Sequence, residues 1–139
     1  LGITVPFTPI AVVLAQWFVA GPLFVRTATL GFRSLNAELF EQAQIDGANR
    51  WQTFSAIAVP MAVPSILGGL ALAWARALGE FGATILFAGN LSGVTQTMPL
   101  AIYIGFEQDL SLAITLALIL LGLAAVALLI ARLFDRPTA

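Results

Sequence analysis

Charged positions are missing from three long stretches of the chain, and the polar positions gather between them. The first apolar stretch runs from Leu1 to Val25, with Pro6 and Pro9 at its entrance. It predicts a membrane-crossing helix from Pro9 to about Val25, kinked or ended at Gly21-Pro22, because proline removes a backbone donor. The second lies between Arg50 and Arg76 and continues past Arg76 to Ala88, with Pro60 and Pro64 near its start. It predicts a helix from about Ser65 to Ala88 of ~24 residues and ~36 Å, enough to cross a hydrocarbon core of ~30 Å. The third, Leu110 to Ala131, is charge-free and rich in Leu, Ala and Ile, with Gly122 near its middle. Two connectors remain, Arg26–Val59 and Gly89–Asp109, followed by a tail after Ala131.

The first connector has its own periodicity. Phe40, Ala43, Gly47, Trp51, Phe54 and Ala58 recur at spacings of three and four, which gives an apolar stripe on a helix. Glu38, Glu41, Asp46, Asn49 and Arg50 lie mostly off it. Gly47 permits a break into two short helices, since glycine tolerates positive φ. Two readings of the stripe stand: a surface helix covering one end of the bundle, or a docking element for another chain.

Composition turns these stretches into a statement about solvent. Of 139 residues, 60% are hydrophobic and 9% charged, against about 25% charged in soluble domains. Mean hydropathy is +0.98. The pattern therefore predicts an all-α, polytopic transmembrane bundle of three crossings within a single domain, residues 1–139. The basic residues are Arg26, Arg33, Arg50, Arg76, Arg132 and Arg136, with no Lys, His or Cys. Disulfides, thiolate or imidazole metal sites and Ser-His-Asp catalysis are thereby excluded. No basic cluster suggests nucleic acid, and no cofactor is implied. Arginines flank the first connector and the tail, whereas Gly89–Asp109 carries Glu107 and Asp109 and no basic residue. The positive-inside rule then places the first connector and the tail in the cytoplasm and Gly89–Asp109 outside.

Glu41, Ala43 and Gly47, followed by Ile57, Val59 and Pro60, resemble the EAA motif of ABC-importer permeases: Glu-Ala-Ala, three residues, Gly, nine residues, Ile-x-Leu-Pro. Gln42 and Val59 depart from that pattern, and the spacing fits throughout. The resemblance implies that residues 38–60 form a cytoplasmic coupling helix seated in a cleft of an ATPase subunit. Glu41, Ala43, Asp46, Gly47, Trp51, Phe54 and Pro60 are then the coupling residues. Trp51 and Phe54 are large apolar anchors of the kind enriched at binding hot spots, and Glu41 and Asp46 offer charges to a basic partner.

The strings Leu78–Thr84 (Leu-Gly-Glu-Phe-Gly-Ala-Thr) and Thr95–Leu100 (Thr-Gln-Thr-Met-Pro-Leu) narrow the resemblance to the molybdate permease branch, with sulfate and thiosulfate permeases as relatives. Arg76 and Glu80, four residues apart, are ionisable groups inside a predicted crossing, where a charge costs about 2.5–3.5 kcal/mol on insertion scales. A helix starting at Ser65 puts Arg76 ~17 Å along it, near the midplane. Two readings stand here too. Arg76, Gly79, Glu80 and Thr84 line a translocation pathway, with Arg76 attracting the oxyanion, or Arg76 and Glu80 form a structural ion pair. The Arg-before-Glu order favours partners on other helices. Gly68, Gly69, Gly79 and Gly82 suit close helix packing. Phe81 and Phe87 are candidates for an apolar constriction. The polar side chains Asn90, Ser92, Thr95, Gln96 and Thr97 are offered to an external partner.

What the resemblance implies is the permease subunit of an ABC importer carrying molybdate, with sulfate, thiosulfate or tungstate as alternatives. Its implied partners are a cytoplasmic ABC ATPase dimer, a second permease subunit forming a homodimer, an extracytoplasmic substrate-binding protein and the lipid bilayer of a bacterial inner membrane. The chain has no GxxxxGK[ST] string, so hydrolysis belongs to another chain. A membrane enzyme would need a nucleophile, base or metal cluster near the bilayer, and Glu80 is the one acid well inside a crossing. A structural scaffold would not need the Glu41–Pro60 spacing. Leu1 is not Met and the chain opens inside an apolar stretch, so further N-terminal helices are expected.

Overall fold

The computed structural model describes residues 5–134, which are helical throughout their ordered elements. The long helices are α1 (Pro9–Arg33), α4 (Val59–Leu78) and α7 (Leu110–Phe134). Shorter ones are α2 (Ala37–Ile45), α3 (Arg50–Thr53), α5 (Gly82–Ala88) and α6 (Met98–Gln108). A single turn of π-helix, Phe54–Ala58, fuses α3 to α4, so Arg50–Leu78 is one 29-residue rod. Among the described residues, three helices are long and apolar enough to cross a membrane: Pro9–Arg33, Arg50–Leu78 and Leu110–Leu133. The chain is a multi-pass, membrane-embedded helical protein. Arg136 lies outside the described residues.

Helix α1 starts where Thr8 caps it, its Oγ1 accepting from the Ala11 N–H at 3.3 Å, with Pro9 at the first helical position. It does not stop at Gly21-Pro22 but runs on to Arg33. Its second half is held by α4: Phe24 and Thr27 lie against Gly69, and Gly31 lies against Ser65. Packing past the proline thus offsets the one lost hydrogen bond. Arg26, expected in the connector, is consequently part of α1.

Helix α4 is the middle of the bundle, packed on α1 along one side and on α7 along the other, while α5 lies on α1 and α6 on α7. The α1–α4 pair is antiparallel in a register fixed by small residues. Ser65 meets Gly31, Gly69 meets Thr27, and Ala73 and Ala77 share a groove with Ala20. A Cβ on Gly31 would overlap the Ser65 side chain, so any larger residue there would force the two helices to shift. The interior as a whole is built this way. Ala11, Ala15, Ala20, Ala62, Ala73, Ala113 and Ala127 are buried, while Leu118, Leu121, Leu129, Phe18 and Leu86 are exposed. In lipid, close approach of backbones and not burial of bulk drives helix association, so small residues belong at the contacts.

The loop Gly89–Asp109 is more ordered than its polarity suggests. Its second half is α6, with Pro99 in the first turn, and the Asp109 carboxylate accepts from the Leu112 N–H at 3.0 Å to start α7 immediately afterwards. Gly105 lets α6 close onto α7, its position for a Cβ being 3.0 Å from Ala113 Cβ.

Candidate functional site

Two places hold the residues singled out from sequence. The first is the connector end of the bundle. Asn36 caps α2, accepting from the Glu38 N–H at 3.0 Å. The helix ends in a full Schellman motif: Gly47 N–H donates to the Gln44 carbonyl at 3.1 Å and Ala48 N–H to the Ala43 carbonyl at 2.9 Å. Gly47 takes φ +88° there, and nothing lies within 4 Å of where a Cβ would sit. Its requirement is therefore conformational, because an L side chain at that φ is strained. Two residues on, Asn49 opens α3 through a capping box, its Oδ1 accepting from the Gln52 N–H and the Gln52 Oε1 from the Asn49 N–H, both at 2.9 Å. The seven residues from Glu41 to Gly47 thus span the last turns of α2 and its stop.

The apolar stripe divides in two. Ala43 and Ala58 are buried and Phe40 is half-buried, while Trp51 is 72% exposed and Phe54 45% exposed. Glu41, Asp46 and Pro60 are exposed as well. Phe54 stacks on Phe32 near the end of α1, with centroids 6.1 Å apart and planes at 17°, and it meets Trp51 at 5.8 Å. The role of Phe32 was not apparent from sequence. Its only sign there was an aromatic just before Arg33, and the contact is made across the connector.

The second place is an interruption in the second apolar stretch. Instead of one helix from Ser65 to Ala88, α4 ends at Leu78 and α5 begins at Gly82. The register against α1 continues across the gap, since Gly89 reaches Phe7 at the start of α1. Arg76 accordingly lies level with Ala20, close to the middle of α1, although the helix carrying it starts much earlier than Ser65. Glu80 sits in the gap and serves both sides of it. Its Oε2 accepts from Arg76 Nη1 at 3.0 Å and its Oε1 from the Ala83 N–H at 2.8 Å. The Arg76 side chain is 47% exposed and that of Glu80 7%. Among the described residues, the two pair with one another and not with other helices. Glu80 lies beyond the regular end of α4, so the rule for pairs inside a helix does not govern it.

Gly79 forms the exposed turn at the end of α4, and Thr84 is fully buried on α5 with its hydroxyl unpartnered in the structure. The structure thus brings Arg76, Gly79 and Glu80 into one interruption and sets Thr84 one turn into the helix that follows. Phe81 packs edge-to-face on Tyr103 of α6 at 5.5 Å, while Phe87 is exposed. The loop Gly89–Asp109 is less available than its composition suggests. Thr95 is buried, its hydroxyl accepting from the Leu91 N–H at 3.0 Å, and polar atoms of Asn90 and Thr97 are enclosed.

Residues 2–138 match the family described as "Binding-protein-dependent transport system inner membrane component". Among curated proteins, the chain is 46% identical over 135 residues to "Probable transport system permease protein NifC" of Clostridium pasteurianum, covering 97% of this chain and 47% of that one. It is 44% identical over 102 residues to the molybdenum transport system permease protein ModB of Haemophilus influenzae, 73% and 44% of the two chains. Against the protein of the same name from Escherichia coli K12 it is 40% identical over 137 residues, 97% and 60%. The chain spans about half the length of the curated relatives it matches.

Proposed function

We propose a function from this premise: the chain belongs to the family of binding-protein-dependent transport system inner membrane components. It forms part of the permease subunit of an ABC importer that brings a tetrahedral oxyanion, molybdate, into the cytoplasm, with ATP hydrolysed on a separate chain. Two relatives bear the name of molybdenum transport permeases and align over much of this chain. The observation that carries the reading is the α2–α3 element. It is a short helix stopped by a Schellman turn at Gly47 and restarted by a capping box, and it presents Glu41, Asp46 and Trp51 to solvent at the foot of the α4 rod. An ATPase dimer engages that surface, and residues 38–60 pass its movement into the membrane helices. A second permease copy completes the assembly, and a substrate-binding protein delivers the oxyanion at the opposite end.

The interruption at Gly79–Phe81 supports a pathway role for Arg76, Gly79, Glu80 and Thr84. Discontinuous helices within the membrane are tolerated where they line a cavity or substrate route, and Arg76 leaves half of its charged side chain uncovered by its neighbours. The test uses the full-length permease with its ATPase in proteoliposomes. ATP-dependent accumulation of labelled molybdate, competed by tungstate more strongly than by sulfate, is the expected result. Accumulation of sulfate with no molybdate uptake would reassign the substrate. A permease that brings down no ATPase would end the reading.

A further inference from the structure

The rod from Arg50 to Leu78 is not uniform. Over Phe54–Ala58 its backbone widens into one π-turn, in which the Val59 N–H donates to the Phe54 carbonyl five residues back. The sequence supplies a reason. Residue 60 is proline, so it has no N–H for the Ala56 carbonyl, and in a regular α-helix its ring would press on that carbonyl. An extra residue in the turn relieves the pressure. Pro64 repeats the loss at the Pro60 carbonyl. Ala56, Pro60 and Pro64 are all exposed, and their spacing of four puts them on one helix face. Around the turn, hydroxyls bond back onto the chain, Thr53 Oγ1 to the Asn49 carbonyl at 3.1 Å and Ser55 Oγ to the Trp51 carbonyl at 2.8 Å. Bonds of this kind bend helices.

The parts on either side are held differently. Below the turn, the Asn49–Gln52 capping box keeps α3 a unit of its own, and Phe54, the first residue of the turn, stacks on Phe32 of α1. Above it, Ala62, Gly68 and Gly69 are buried, and Ser65 is lodged against Gly31. A turn with weakened bonding thus separates a short capped helix from a helix anchored in the bundle. Isolated π-turns occur often at functional positions in helices.

We propose that the Phe54–Ala58 π-turn is a compliant joint, kept open by Pro60, at which the coupling segment pivots relative to α4. This rests on the reading of residues 38–60 as the element that engages the ATPase. If the turn closed to α-helical bonding, one residue would pass through the pattern. Everything below would then rotate by roughly 100°, and Phe54 would leave its seat on Phe32. Pro60 therefore both orients the coupling segment and leaves it free to swing.

The test compares wild type, Pro60→Ala and Pro60→Gly in the full-length permease assembled with its ATPase in nanodiscs and proteoliposomes. Spin labels on Arg50→Cys and Leu70→Cys, both exposed positions, report the angle across the joint. In wild type the label separation shifts by several ångströms between nucleotide-free and ATP-bound states. In Pro60→Ala, which regains the N–H, the distribution narrows and stays put, and molybdate uptake per ATP, read on the complexes that retain the ATPase, falls at least tenfold. Pro60→Gly also regains the N–H but stays pliable, and it keeps a third or more of wild-type uptake per ATP. Equal uptake per ATP and an equal label shift in wild type and Pro60→Ala would overturn the joint alone. A wild-type permease that captures no ATPase would overturn the joint together with the coupling reading on which it rests.

Discussion

Arg76 and Glu80 are joined at 3.0 Å across the point where α4 stops, and the same carboxylate holds the Ala83 N–H at 2.8 Å on the far side of the gap. Glu80 is thus a splice between two helices as well as half of an ion pair. These two duties separate by substitution. Glu80→Gln retains an oxygen for the Ala83 N–H and loses the charge, whereas Glu80→Ala loses both. Glu80→Ala should lower the stability of the purified permease by about 1–3 kcal/mol, the cost of removing a charge-assisted bond from a part-buried donor, and Glu80→Gln by less. Thermal unfolding in detergent, read from intrinsic fluorescence, checks the order. Equal losses for the two variants would show that the splice contributes nothing.

Arg76 is the half of the pair that faces open space. Arg76→Gln leaves the splice to Ala83 intact, so the bundle should still assemble, while the positive charge beside the gap is gone. Oxyanion uptake should fall at least tenfold, with Arg76→Lys intermediate because a lysine keeps the charge without the planar fork. Initial rates of labelled molybdate uptake at matched permease levels provide the measurement. Wild-type uptake in Arg76→Gln would leave only the structural reading of the pair.

Gly47 makes a prediction about backbone shape. Its φ of +88° is forbidden to most side chains, yet its surroundings are empty. Gly47→Leu should leave membrane insertion unchanged and abolish transport. Gly47→Asn should retain more activity than Gly47→Ala, since Asn visits the left-handed region at lower cost. Uptake and membrane yield, measured side by side, test the ranking. If Gly47→Leu transports normally, residues 38–60 do not couple anything.

The Gly31–Ser65 contact calls for a double-mutant cycle. Gly31→Ala should destabilise the bundle by about 1–3 kcal/mol through overpacking. In a Ser65→Gly background most of that loss should vanish, because the colliding atoms are gone. Additive losses in thermal unfolding would mean that the two helices do not meet there.

Phe54 and Trp51 should part company in a similar comparison. Phe54→Ala removes contacts to both Phe32 and Trp51, each worth about 0.5–1.5 kcal/mol for an aromatic pair, and so should reduce both stability and ATPase capture. Trp51→Ala removes a mostly solvated ring and only the second of those pairs, so it should reduce capture with a smaller loss of stability than Phe54→Ala. Pull-down of the ATPase and a melting curve on the same preparations distinguish them.

Periodicity made the bundle legible. The three crossings, the polar connector and the stop at Gly47 all follow from where apolar residues, arginines and one glycine fall. Several features did not follow, each for a physical reason. Pro22 reads as an end of α1 because local rules see the missing N–H and not the α4 surface that holds Phe24, Thr27 and Gly31. The gap at Gly79–Phe81 is hidden inside an unbroken apolar run, with Gly79 and Gly82 as its only marks. Helix α6 begins in a polar string, and its signal is limited to Pro99 and the apolar residues Leu100–Ile104. The π-turn has no pattern of its own. It ends two residues before Pro60, inside a rod that the sequence-based reading starts only at Ser65. At the candidate site, the sequence leaves pairing of Arg76 with Glu80 as one of two readings, and the third partner, the Ala83 N–H, becomes visible only when the chain bends back.

The distribution of side-chain volume in this bundle reverses the tolerance expected of a water-soluble protein. Where alanine and glycine fill the seams and leucine and phenylalanine line the outside, exchanging Leu118 for Ile or Leu129 for Phe should pass unnoticed in a fluid acyl environment. Adding a single methyl to Ala62 or Ala113 should not. Natural drift would then rewrite the bulky positions freely and spare the smallest ones.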